Sequence, residues 1–149
     1  MMHTLADPLY HAARNYADRP ATICGDVRLN YRELTARCRR LGGALQGLGL
    51  EAGDRIAILA ANSHQYIETY MAVPAAGFVV VPLNTRHAEA ELAYALKDSG
   101  TKLLLTDVDP GDLADIVERV IRIPDEYEAL LAAAEIELGT NITEESLAG

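Results

Sequence analysis

Apolar residues recur along this chain at two spacings, one suited to helices and one to strands. In LADPLYHAARNYA, 5–17, Leu5, Leu9, Ala12, Ala13 and Tyr16 fall at helical spacing, and Asp7-Pro8 suits a first turn. ATICGDVRLN, 21–30, reads as two short strands about a Gly25-Asp26 turn, a small hairpin. NYRE is the clearest helix start: Asn30 can cap free amides and Glu33 can reach back to complete a capping box. The helix that follows carries Leu34, Cys38, Leu41, Leu45 and Leu48 on one stripe, with Arg32, Arg39, Arg40 and Gln46 largely outside it. Gly49 is placed to end it.

From residue 53 the pattern alternates. GDRIAILA (53–60) is an apolar strand. ANSHQYIETYMAVPAAG (61–77) is a helix capped by Asn62 or Ser63 and broken near its end by Pro74. FVVVPL (78–83) is a buried-looking strand, and HAEAELAYALKDSG (87–100) a helix with Leu92, Ala95 and Leu96 inward. TKLLLTD (101–107) is a third strand. Residues 111–134 continue with a short helix, a strand near VIRI and a further helix. Strands joined by helices through short connections must run parallel, and continuous apolar runs suit strands covered on both faces. The fold class is therefore α/β: a mainly parallel β-sheet flanked by helices, with a small N-terminal hairpin. Residues 1–134 form the folded unit, and the acidic, weakly patterned 135–149 reads as a linker.

Composition narrows the partners. The 149 residues carry a formal net charge of −9, and Lys97 and Lys102 are the sole lysines. An acidic surface repels phosphate backbones, which excludes nucleic acid as a general partner. No run approaches the ~20 apolar residues of a membrane span. The first twenty residues lack the basic and apolar regions of a signal peptide, so the expectation is cytoplasmic. Cys24 and Cys38 match no zinc or redox spacing and read as small buried apolar residues.

In open parallel sheets, ligands lie beyond the carboxyl ends of the strands. Three loops meet that condition: Ala60–His64, Leu83–Arg86 and Thr106–Asp107. Helix capping is the commoner use of Asn, Ser, Thr and Asp at such positions. Arg86 caps nothing; it can bind a phosphate or carboxylate, although a surface ion pair is the usual fate of such an arginine. His3, His11, His64 and His87 form no ligand-spaced pair, so no metal site is expected. Ser63-His64 lacks a G-x-S-x-G elbow, and Asp107 with Asp109 lacks the acidic pair and lysine of a phospho-acceptor pocket. No catalytic residue is assigned. Gly42-Gly43 lie inside a helix with no lysine after them, so the chain has no evident cradle for nucleotide phosphates.

LNYREL, GLGLEAGDRIAIL, the ANS turn, AAGFVVVPLNTR and EAELAYALKDSGTKLLLTD stand in this order within residues 18–107. Together they resemble the opening of the adenylate-forming acyl-CoA synthetases, with long- or medium-chain fatty acyl-CoA ligases most similar. The resemblance implies ATP-dependent formation of an acyl-adenylate, then thioester formation with coenzyme A, with Mg2+ balancing the phosphate charge. It also implies that 1–134 is the N-terminal subdomain of an AMP-binding domain and that 135–149 leads towards a phosphate-binding loop. That loop, the adenine-binding segment and the C-terminal domain with its catalytic lysine are not in these residues. By motif match to PLN-x-R, Arg86 would contact a phosphate of coenzyme A, with Asn84 shaping the loop; Thr85 replaces a proline often found there. One arginine–phosphate contact contributes ~1.5–3 kcal/mol, less than the ~4 kcal/mol behind even millimolar binding.

The expectation is thus the N-terminal portion of a fatty-acid–CoA ligase, inactive alone and binding no cofactor by itself. Its natural partner would be the remainder of the synthetase; without it, the chain is expected to self-associate. The alternatives are an autonomous binding or assembly module that kept the fold, and a stand-alone coenzyme A-binding protein.

Overall fold

A computed structural model describes residues 20–24 and 27–134. The expected helix at 5–17, the Gly25-Asp26 turn and the 135–149 linker lie outside the described residues. Strands β1 (Pro20–Cys24) and β2 (Val27–Asn30) pair antiparallel as the expected hairpin. Helix α1 (Tyr31–Gln46) starts on the capping box read from the sequence. Glu33 N donates to Asn30 Oδ1 at 2.8 Å, and Asn30 N donates to Glu33 Oε1 at 3.1 Å. The helix ends at Gln46, three residues before Gly49, and Leu48 is partly rather than fully buried.

Four parallel strands follow: β3 (Arg55–Leu59), β4 (Val79–Pro82), β5 (Leu103–Thr106) and β6 (Arg119–Arg122). They lie in the order β4-β3-β5-β6. Between them run α2 (His64–Ala75), α3 (Glu89–Ser99) and a 3-10 turn at Gly111–Asp115; α4 (Asp125–Ala132) follows β6. Side chains alternate across the sheet. Ile56, Ile58, Leu103, Leu105 and Ile121 pack on one face with α1, α2 and α4. Ala57, Leu59 and Leu104 pack on the other with Leu92 and Leu96 of α3 and with Leu113 and Val117 around the 3-10 turn. The unit is thus three layers, helices on both faces of a parallel sheet, as continuous apolar strands require.

One strand departs from expectation. FVVVPL reads as buried on both faces, but β4 lies at the sheet edge and pairs with β3 alone. Phe78, just before the strand, is buried, while Val79 is 45% exposed. Pro82 suits this edge. The amides of Val79 and Leu83 bond to Asp54 O and Ile58 O. By alternation, residues 80 and 82 direct their amides outward, and proline has none to offer.

Candidate functional site

Strand order places a topological switch between β3 and β5. The chain leaves β3 towards β4 on one side and returns to β5 on the other, which is where open α/β sheets take ligands. The loops that leave these two strands are tied together. Asp107 Oδ2 accepts a hydrogen bond from Ala61 N at 3.0 Å, and Thr106 Oγ1 donates to Leu59 O at 2.8 Å. These two residues therefore brace the ends of neighbouring strands and cap no helix. Ser63 does cap: its Oγ accepts from Tyr66 N at 3.2 Å and it is the N-cap of α2.

The third loop follows the edge strand. Asn84 Oδ1 accepts from Arg86 N at 2.9 Å, and Asn84 O accepts from His87 N at 3.0 Å. Asn84 therefore folds the turn with its own side chain. Asn84, Thr85 and Arg86 are all exposed. Arg86 thus stands on a turn that its neighbour shapes, at the carboxyl edge of the sheet and beside β3. It is not drawn together with His64 or Asp107 by any hydrogen bond among the described residues.

A different cluster lies on the α1–α2–α4 side, and nothing in the local spacing announced it. Glu68 of α2 is 0% exposed. Its Oε2 accepts from Arg37 Nε at 2.7 Å, and its Oε1 accepts from Tyr127 Oη at 2.7 Å and from Arg37 Nη2 at 3.2 Å. His64 Nδ1 lies 3.0 Å from Oε2; an ionised carboxylate can only accept, so Nδ1 carries the proton. Arg37 also donates through Nη1 and Nη2 to both oxygens of Glu128. Gln65 Nε2 donates to Glu128 at 3.3 Å.

Electrostatics follow from this geometry. Burial works to lower the Arg37 guanidinium, but hydrogen bonds to Glu128 and Glu68 outweigh it and hold it above its ordinary value. Burial likewise works to raise Glu128, and Arg37 outweighs it, leaving the carboxyl below its ordinary value. Burial, then the Glu68 charge, push both the Tyr127 phenol and the Cys38 thiol up. Cys38 is a free, buried thiol with no nucleophile's environment. Arg37, Glu68 and Glu128 sit on three helices, 31 and 60 positions apart, so no motif reveals them. The legible signal was His64-x-x-x-Glu68, two titratable groups one turn apart on a helix face that also buries Gln65, Thr69, Ala72 and Val73. Among the described residues no group of His, Cys, Asp and Glu is arranged to hold a metal.

The model of the AMP-binding enzyme family matches residues 9–146. The chain belongs to the AMP-binding enzyme family. Its relatives include a fatty acid–[acyl-carrier-protein] ligase, ScoC, of Streptomyces coeruleorubidus, 33% identical over 125 residues, which are 84% of this chain and 24% of that protein. A long-chain-fatty-acid–CoA ligase of Salmonella typhimurium is 34% identical over 119 residues, 79% of this chain and 21% of the ligase. Among solved structures, the N-terminal domain of FACL13 from Mycobacterium tuberculosis superposes with a TM-score of 0.81 at 27% identity, over 91% of this chain and 37% of that one. The chain therefore spans about a quarter or less of the curated relatives it matches. Its three-layer fold is that of the N-terminal domain in fatty acyl-CoA synthetase structures. Among the described residues no helix is long and apolar enough to cross a membrane.

Proposed function

We propose that this chain is the N-terminal unit of an ATP-dependent ligase that joins a fatty or aromatic acid to a thiol, and that alone it does not perform the reaction. The observation that carries this reading is the family match over residues 9–146 in a chain spanning so little of its relatives. The missing chemistry supports the second half. Pyrophosphate release needs a phosphate-binding loop, and neither the sequence nor the loops at the switch supply one: Asp107 puts a carboxylate there, the wrong charge for a phosphate. In the longer enzyme this unit would scaffold a sheet edge beside the nucleotide and thiol sites. ATP, Mg2+ and coenzyme A would be bound mainly by residues beyond it.

Incubating the chain with ATP, Mg2+, coenzyme A and a panel of fatty and aromatic acids tests this directly. Pyrophosphate is expected from a version extended through the phosphate loop and C-terminal domain, and none above background from the 149-residue chain. Turnover by the short chain, free of host enzyme, would overturn the proposal.

Within this reading, Arg86 contacts a phosphate of coenzyme A in the full enzyme. Its exposure and the Asn84 turn that fixes its backbone favour that role. In the extended enzyme Arg86→Ala is expected to raise the KM for coenzyme A about tenfold or more, the value of one charge-assisted contact, with kcat little changed. An unchanged KM would remove Arg86 from the site. An autonomous coenzyme A-binding module instead requires saturable binding by the short chain, which calorimetry at millimolar coenzyme A would detect.

A further inference from the structure

Helix α4 is held by two arginines of one neighbour. Arg37 of α1 grips both oxygens of Glu128. Nearly one turn along α1, Arg40 donates through Nε to Leu131 O at 3.0 Å and through Nη2 to Ala132 O at 3.3 Å. Those carbonyls belong to the last turn of α4, where Leu131 O also accepts from Ala134 N at 3.2 Å. A cation there also opposes the negative end of the helix dipole. The two carboxylates that share Arg37 differ in their access to water. Glu68 is fully buried, whereas the Glu128 side chain is 41% exposed.

We propose that Arg37, Glu68 and Glu128 form an acid-sensitive latch: protonation of Glu128 loosens α4 from α1, while Arg37 stays bound to Glu68 and the sheet stays folded. Arg37 and Gln65 donate to Glu128 directly, while Glu68, which shares Arg37, is of like sign to Glu128. From α1 come Arg37 and, beyond it, Arg40; from α2, Gln65 donates, with His64 and Glu68 behind it. From α4 itself, Tyr127 turns its hydroxyl to Glu68. β6 also packs on α4, and its Arg122 amide donates to Glu126, not to Glu128. The Glu128 carboxyl lies below its ordinary 4.5 in the folded chain. Its contribution is therefore complete above the unfolded value and is lost as pH falls through the folded one, so loosening begins on the acid side of 4.5.

Amide hydrogen exchange on the intact chain tests this, read by segment from neutral pH downward and corrected for the intrinsic pH dependence. Amides of 125–134 are expected to gain about fivefold in exchange below the Glu128 transition, the scale of one partly exposed ion pair, while β3 and β5 keep their protection. Glu128→Gln should show the faster exchange already at neutral pH and should lack the acid step. Asp125, also in the first turn of α4 and in no arginine ion pair among the described residues, supplies the control: Asp125→Asn changes the dipole and leaves the Arg37 contacts in place. The proposal is overturned by loss of protection in α4 and the sheet together, by Glu128→Gln exchanging like the wild type, or by Asp125→Asn matching it.

Discussion

Glu68 has no exposure to water, so its charge is tolerable only because Arg37, Tyr127 and His64 surround it with donors. Removing one partner of such a pair costs about 3–5 kcal/mol, because the other is left buried and uncompensated. Against a total stability of about 5–15 kcal/mol that loss is severe. Arg37→Met and Glu68→Leu are each expected to be strongly destabilised in urea unfolding. The double variant should recover a large part of either loss, since packed apolar groups can replace a buried pair. Additive losses in the cycle would show that the two side chains act independently. Sequence spacing could not have forecast this pairing: Arg37 sits near other charged residues on α1, and only the packing of α2 and α4 against it makes it partly buried and paired.

Elements were more legible than the sites they carry. Asn30 and Glu33 announce α1 because a capping box is a contact between residues three apart, and the geometry honours it. The strands are legible because Ile56–Leu59 and Leu103–Leu105 must be covered on both faces. β4 misled because Val79–Val81 have the composition of a central strand, and only strand order reveals an edge. Arg86 could be singled out as a site candidate from its motif, and the exposed turn it stands on is set by Asn84. Local signals also predict element stability. α3 ends in a Schellman arrangement, with Thr101 N bonded to Leu96 O and Gly100 N to Lys97 O, both at 3.2 Å. Gly100 takes φ 66°, and a Cβ there would meet nothing within 4 Å. Gly100→Ala should therefore cost about 1 kcal/mol from backbone conformation alone, and Gly100→Asn clearly less. Equal midpoints for the two variants in urea would refute that assignment.

At the scale of the whole chain, the question is what covers the β4 side of the sheet. Val79 and Tyr70 are both exposed there, on a strand and helix that pack together, and Tyr66 stacks on Tyr70 with ring centroids 6.4 Å apart. We propose that a second copy covers this surface when the unit is isolated. Pairing of two β4 edges is a poor route, because Pro82 presents no outward amide. Side-chain contact through Val79 and the tyrosines remains, at about 25 cal/mol per Å² of apolar surface removed from water. A net charge of −9 on each copy opposes the approach. The balance of these two forces makes a definite prediction. Added salt screens repulsion between copies and leaves apolar contact intact, so self-association should strengthen from low to moderate ionic strength. Light scattering at micromolar concentration should show dimers or larger species that grow with salt, and Val79→Lys with Tyr70→Glu should return a monomer. A chain that stays monomeric at every salt concentration would show that this surface needs no cover, and association that weakens with salt would assign it to ion pairs instead.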